Sequence, residues 1–158
     1  MVATAGVSVV SQALQRRGRT IVRVRGRSMF PPLCNGVRLE VQPTAYEALR
    51  YGDLVVYHDG CGIICHRLVR KTSRLCYLKG DANLFTDPPV VWSQVLGRAT
   101  RIIDDDLQII PLDGAGPRRR AVLLARFSCI YALYRNALQA AARCRLWTRG
   151  IEWTQPRP

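Results

Sequence analysis

Between residues 20 and 112 apolar positions recur every second residue or in short runs, the mark of strands. Both ends of the chain instead repeat at three and four. Near the N-terminus Val7, Val10 and Leu14 share a helical spacing, which predicts a short helix over 3–17, stopped by Gly18 after Arg16 and Arg17. The segment 20–25 (TIVRVR) alternates and predicts a half-buried strand. Gly26 and the pair Pro31-Pro32 then bracket a turn that holds Arg27, Ser28 and Met29. Further strands are predicted over 37–41, 53–57, 62–71, 75–80, 95–103 and 107–112, with His58-Asp59-Gly60 as a hairpin turn. GDANLFTDPP (80–89) is rich in breakers and reads as a loop. Short strands with hairpin-length links predict a mainly β fold, an antiparallel and partly closed β-barrel.

After a linker at 113–117 (DGAGP), residues 118–147 return to helical period. At 100° per residue Leu123, Phe127, Ile130, Tyr131, Tyr134 and Leu138 share one face, and Arg135, Asn136, Gln139 and Arg143 lie opposite. Three uses fit this pattern: a helix docked on its own barrel, a basic amphipathic helix lying on an anionic membrane, or a tilted transmembrane span. The last would carry Arg126 and Arg135 through lipid, which is costly at depth. The expected organisation is an N-terminal helix (1–19), a catalytic-type β domain (20–112), a basic amphipathic helix (118–147) and a tail (148–158).

Composition sharpens the picture at three points. Apolar types make up 48% of the 158 residues and charged types 22%, which excludes a disordered or collagen-like chain. No run of 18 uncharged apolar residues occurs, and the N-terminus lacks the basic start of a secretory signal, so a cytoplasmic protein, free or peripheral on the membrane, is expected. The net charge is +13, and residues 117–158 hold nine Arg against a single acidic residue, which points to an anionic partner. Lysine occurs only at 71 and 79, so a mechanism that needs a Lys base has two candidates. The six cysteines (34, 61, 65, 76, 129 and 144) read as reduced, small apolar residues. Cys61 and Cys65 precede His66 at C-x3-C spacing, but no second close pair exists to complete a zinc site, and no metal or cofactor is expected.

Candidate chemistry lies in VRGRSMFPP (24–32), ICHRLV (64–69) and KGDANLFTDPP (79–89). Ser28, in a rigid turn after a glycine, can present its hydroxyl and its own N–H together, as acyl transfer requires. The plainer reading is a turn serine. His66 sits among Ile64, Cys65, Leu68 and Val69 and reads either as a satisfied core group or as a base, whereas His58 in its polar turn reads as a bystander. A base would need a carboxylate to fix its tautomer. The loop offers Asp81 and Asp87, of which Asp81 can equally cap the loop.

The ordered set GRSMFP, a later Gly-Asp-hydrophobic (Gly52-Asp53), HRL, KGDANLFTD and VLGR, over about residues 18–103, resembles the signal peptidase I superfamily. It is similar to the branch that uses Ser and His, found in endoplasmic-reticulum and archaeal-type signal peptidases. The resemblance implies Ser28 as nucleophile and His66 as base, at the place where Ser–Lys members carry Lys. It implies Asp87, six residues after Asp81, as the acid that orients His66, with Asp81, Gly26 and Met29 in support. It also implies the family's antiparallel barrel, a substrate that pairs as an added strand beside the nucleophile, and small residues before the cleaved bond. Gly26 stands where signal peptidases have a serine, and V-R-G-R-S-M there resembles LexA-like peptidases. Gly36-Val37 replaces the first expected Gly-Asp pair, and residues 1–19 read as a short helix, so no membrane anchor is expected before Ser28. The expected function is therefore a serine endopeptidase acting on a precursor or leader peptide, without cofactor. The anionic partner is expected to be a membrane surface met by 118–147 rather than nucleic acid. The alternatives are a catalytically idle scaffold of the same fold and a basic nucleic-acid-binding protein.

Overall fold

The computed structural model describes residues 2–104 and 106–149, of which residues 2–5, 131, 135 and 139–149 are described by their backbone alone. The expected tail falls outside the described residues from 150 onward. So do the side chains of Tyr131, Arg135, Gln139 and Arg143 on the two expected helix faces.

Helix α1 (Val2–Arg17) is followed by strands β1 (Thr20–Arg23), β2 (Arg38–Gln42), β3 (Leu54–His58), β4 (Ile63–Lys71) and β5 (Leu75–Lys79). Then come β6 (Val90–Val91), a short 3-10 turn (Trp92–Gln94), β7 (Val95–Ile103), β8 (Ile109–Pro111) and helix α2 (Ala115–Arg149). All the strands form one curled antiparallel sheet in the order β1-β2-β7-β3-β4-β5-β6, with β8 on β7. The architecture is a half-barrel with a few helices. The expected strands at 20–25, 37–41, 53–57, 62–71, 75–80, 95–103 and 107–112 all appear, with ends trimmed or shifted by up to two residues.

The sheet curls around β7, the strand that pairs with β2, β3 and β8. At its crossing Gly97 lies so close to β2 that a Cβ there would meet the Gln42 carbonyl oxygen at 2.4 Å. Register shifts at Glu40/Val41 and Val56/Tyr57 mark where β2 and β3 bend against it. Strand β3 reads as an unbroken apolar run because both its faces are covered. Leu54 and Val56 join a core with Leu14, Met29, Leu33, Leu39 and Ala99, while Val55 and Tyr57 join a second with Leu49, Leu68, Leu78 and Val90.

Helix α2 corrects the sequence reading in two respects. It starts at Ala115, inside the expected linker, because Pro117 is tolerated in a first turn whose N–H groups have no helical partner. And it docks through its small residues rather than its large apolar ones. Ala125, Ser128 and Ala132 are buried, while Leu123, Phe127, Ile130, Tyr134 and Leu138 are exposed. Gly52 makes this approach possible: a Cβ there would meet the Ala121 carbonyl carbon at 3.0 Å. Two polar ties fasten the helix, Arg118 Nη1 to Asp53 Oδ1 at 2.5 Å and Lys79 Nζ to Ser128 Oγ at 2.8 Å. Lys79 is buried, and a buried ammonium that loses a hydrogen-bond acceptor carries a penalty of its desolvation. Ser128→Ala is therefore expected to cost about 1–3 kcal/mol in chemical denaturation. Phe127→Ser should stay within about 0.5 kcal/mol, as a surface change does. The opposite order would mean that α2 docks by its apolar face.

Candidate active site

The chain places Ser28 in the loop that leaves β1, and four local features hold that loop. Gly26 takes φ +93°, a conformation that favours glycine. Its N–H donates to Asn35 Oδ1 at 3.0 Å. Met29 is buried in the first core and pins the residue next to Ser28. The Ser28 carbonyl accepts from the Ala82 N–H at 2.8 Å. Gly80 allows this approach, since a Cβ there would meet the Ser28 carbonyl oxygen at 2.7 Å. The Ser28 N–H has no partner among the described residues and stays available to an oxygen beside the hydroxyl.

His66 is buried in β4, opposite Val55 of β3. Its Nε2 lies 2.9 Å from Ser28 Oγ and its Nδ1 lies 2.5 Å from Asp87 Oδ2. With the proton on Nδ1 donated to the carboxylate, Nε2 is left to accept from the serine hydroxyl. Of the two carboxylates that the sequence left open, it is Asp87 that reaches His66. Asp81 is spent elsewhere: it is buried, and both its oxygens accept from Arg67, at 2.8 and 2.6 Å. Arg67 also donates to the Gly52 carbonyl at 2.8 Å, which ties β4 to the turn before β3. His58 ends β3 and Lys71 binds the carbonyls of Tyr46 and Leu49, so neither joins the site. Lys79 points to Ser128.

Tyr57 is the member that sequence reasoning missed. Its hydroxyl donates to Asp87 Oδ2 at 3.0 Å, and burial, then the charge of Asp87, pushes its pKa well up. It remains a neutral donor at physiological pH and steadies the carboxylate. A signal did exist. A hairpin turned at 58–62 pairs Tyr57 with Ile64, so Tyr57 shares a face with His66, one diagonal step away.

These groups open onto a groove of about 850 Å³. Its floor and sides include Val22, Val24, Met29, Leu39, Val56 and Ile64, with Gly6, Val9 and Val10 of α1 on the far wall. Cys61 is exposed and Cys65 lines the groove. Among the described residues no three His, Cys, Asp or Glu side chains gather as a metal-holding group.

The class defined by fold and site is a curled antiparallel sheet that carries Asp, His and Ser in a hydrogen-bonded line at the mouth of an apolar groove. A scan against protein-family models matches none, and a search of curated proteins finds no match.

The geometry puts Ser28 Oγ beside His66 Nε2, and reaction with a fluorophosphonate measures whether that hydroxyl is reactive. Asp87→Asn is expected to slow labelling at least about 10²-fold, because the histidine loses the acceptor that fixes its tautomer. Tyr57→Phe should slow it about 3- to 10-fold, the effect of one ordinary hydrogen bond, because Asp87 keeps its contact with His66. Equal loss in both variants would mean that Tyr57, not Asp87, governs His66.

Proposed function

We propose that this protein is a serine endopeptidase of the signal peptidase I type, from its Ser–His branch, cleaving a precursor or leader peptide after small residues. The observation that carries this reading is the line Asp87–His66–Ser28, with spacings of 2.5 and 2.9 Å, at an open groove. As Ser28 Oγ bonds to the peptide carbonyl carbon, its proton passes to His66 Nε2, and Asp87 stabilises the imidazolium. The carbonyl oxygen takes the charge and is met by the free Ser28 N–H. His66 then delivers the proton to the leaving amine as the C–N bond breaks. Water attacks the ester, gives a proton to His66, and the departing Oγ takes it back. Gly26, where signal peptidases have a serine, leaves oxyanion stabilisation to backbone donors.

Ser28→Ala is expected to abolish cleavage with little change in stability, since a turn hydroxyl contributes little to folding. His66→Ala should be inactive and His58→Ala near normal. Comparing cellular protein N-termini with wild type and Ser28→Ala names the substrate. Identical N-termini, together with no labelling of Ser28 by a fluorophosphonate, would leave an idle scaffold.

The proposed partner is an anionic membrane surface met by α2. The support is its outward face, with Leu123, Phe127, Ile130, Tyr134 and Leu138 exposed, and the absence of any acidic residue between 115 and 149. Arg119, Arg120 and Arg126 are exposed on the same helix. Apolar area to insert and positive charge to find headgroups are what an interfacial helix needs. Among the described residues no helix is long and apolar enough to cross a membrane. Phe127→Ser with Ile130→Ser should weaken sedimentation with phosphatidylglycerol vesicles about 10-fold or more, at unchanged stability. Unchanged sedimentation would give the basic face to another partner.

A further inference from the structure

The groove beside Ser28 is bounded by a sheet edge with its own charge. Strand β1 ends the sheet. Val24 donates to the Val37 carbonyl and accepts from the Gly36 N–H, so its polar backbone groups face the neighbouring chain. Alternation then turns the N–H and C=O groups of Arg23 and Arg25 outward, to the open edge. Both arginines line the groove and are exposed, and among the described residues no carboxylate lines it.

Neither charge is neutralised among the described residues. Arg23 lies directly opposite Arg38 of β2, a like-charge pair that is unfavourable in a sheet. Arg23 Nε donates to the Gly36 carbonyl and Arg38 Nη2 to the Asp104 carbonyl, so both arginines engage neutral oxygens. Arg25 has no side-chain partner among the described residues. The edge is short of anions at two positions of the same parity, on one face of β1 and of its continuation through Val24.

From this we infer that the segment the groove takes is an extended, acidic one. It carries Asp or Glu at the two positions beside Arg23 and Arg25, with a small or apolar residue between them. Residues directly opposite in paired strands put their side chains on the same face. An added strand therefore sets alternate side chains beside the two guanidinium groups. The residue between them turns to the other face, over the apolar floor of Val22, Val24, Leu39 and Val56. A nucleic acid would answer the charge but neither the outward backbone donors and acceptors nor the apolar floor. The inference deepens the peptidase reading and rests on Ser28 as the reacting centre.

The test separates binding from turnover. Full-length protein with Ser28→Ala is titrated, by fluorescence anisotropy, with labelled peptides that hold Glu-Val-Glu, Gln-Val-Gln or Lys-Val-Lys before an Ala-rich stretch. The Glu peptide is expected to bind about 5- to 10-fold tighter than the Gln peptide, the size of two cross-strand charge pairs. The preference should shrink with salt and turn to the Lys peptide in Arg23→Glu/Arg25→Glu. Arg25→Glu alone, a change at a side chain that bonds nothing described, keeps the test open if the double variant fails to fold. Equal binding of the three peptides, or a Glu preference that survives the charge reversal, overturns the inference. So does displacement of the Glu peptide by a single-stranded oligonucleotide at lower concentration. Wild-type turnover then tests the other reading independently. Charge-selective binding without cleavage keeps the acid-selective groove and removes the peptidase. Ser28-dependent cleavage without charge preference does the reverse.

Discussion

Much of this structure depends on the buried ion pair between Arg67 and Asp81. Arg67 is the neighbour of His66 on β4, and Asp81 begins the loop that carries Asp87. The bidentate contact fixes the start of the loop on the strand. From that anchor the next residue, Ala82, reaches Ser28, and Asp87 comes back to His66. A second bond closes the loop, from the Asp87 N–H to the Leu78 carbonyl at 2.8 Å. Both charges are almost fully buried, so loss of either partner strands the other in a low-dielectric interior, a cost of roughly 3–5 kcal/mol. The pair contributes little net stability over an apolar replacement of the same volume. Its contribution is to position: one rigid contact sets three segments against each other.

How much of this was legible in the sequence follows from range. Period-two alternation and turn residues are local, and they marked the strands from β1 to β5, β7 and β8. Strand β6 escaped because two residues, Val90 and Val91, carry no period. The assembly of Ser28, His66 and Asp87 was legible through resemblance to a known motif order, since no local spacing brings residues 28, 66 and 87 together. The choice between Asp81 and Asp87 stayed open because both follow the same breaker-rich pattern. What decides it is the guanidinium of Arg67, which claims one of them in space. Tyr57 was overlooked because its apolar setting in β3 reads as core, which it also is.

Helix α2 shows a different limit. Its periodicity identified an apolar face correctly but not which face docks. Periodicity records how apolar and polar side chains segregate around a helix, not the shape of the surface below. Here the surface below includes Gly52 and Lys79, which admit a close backbone and require a hydroxyl. Ala121, Ala125, Ser128 and Ala132 meet both conditions, and the larger residues are turned outward. The helix spends its small face on its own protein and leaves its large apolar face exposed among arginines, so attachment to the sheet does not use the face that the periodicity marks.

The groove contains a second potential nucleophile, and electrostatics tells it apart from the first. Cys65 precedes His66 and lines the same groove as Ser28. In a strand, successive side chains point to opposite faces, so Cys65 is turned to the first core while His66 faces Tyr57 and Asp87. Burial pushes the Cys65 thiol up to about 12, and the nearby Arg67 offsets this only in part. At neutral pH the thiol is protonated, and the thiolate is the form that attacks. Ser28 Oγ instead has an imidazole nitrogen 2.9 Å away, an arrangement that would let it act without a shift of its own. Burial thus keeps the intrinsically better nucleophile protonated, while the weaker one keeps a hydrogen-bond acceptor beside its hydroxyl.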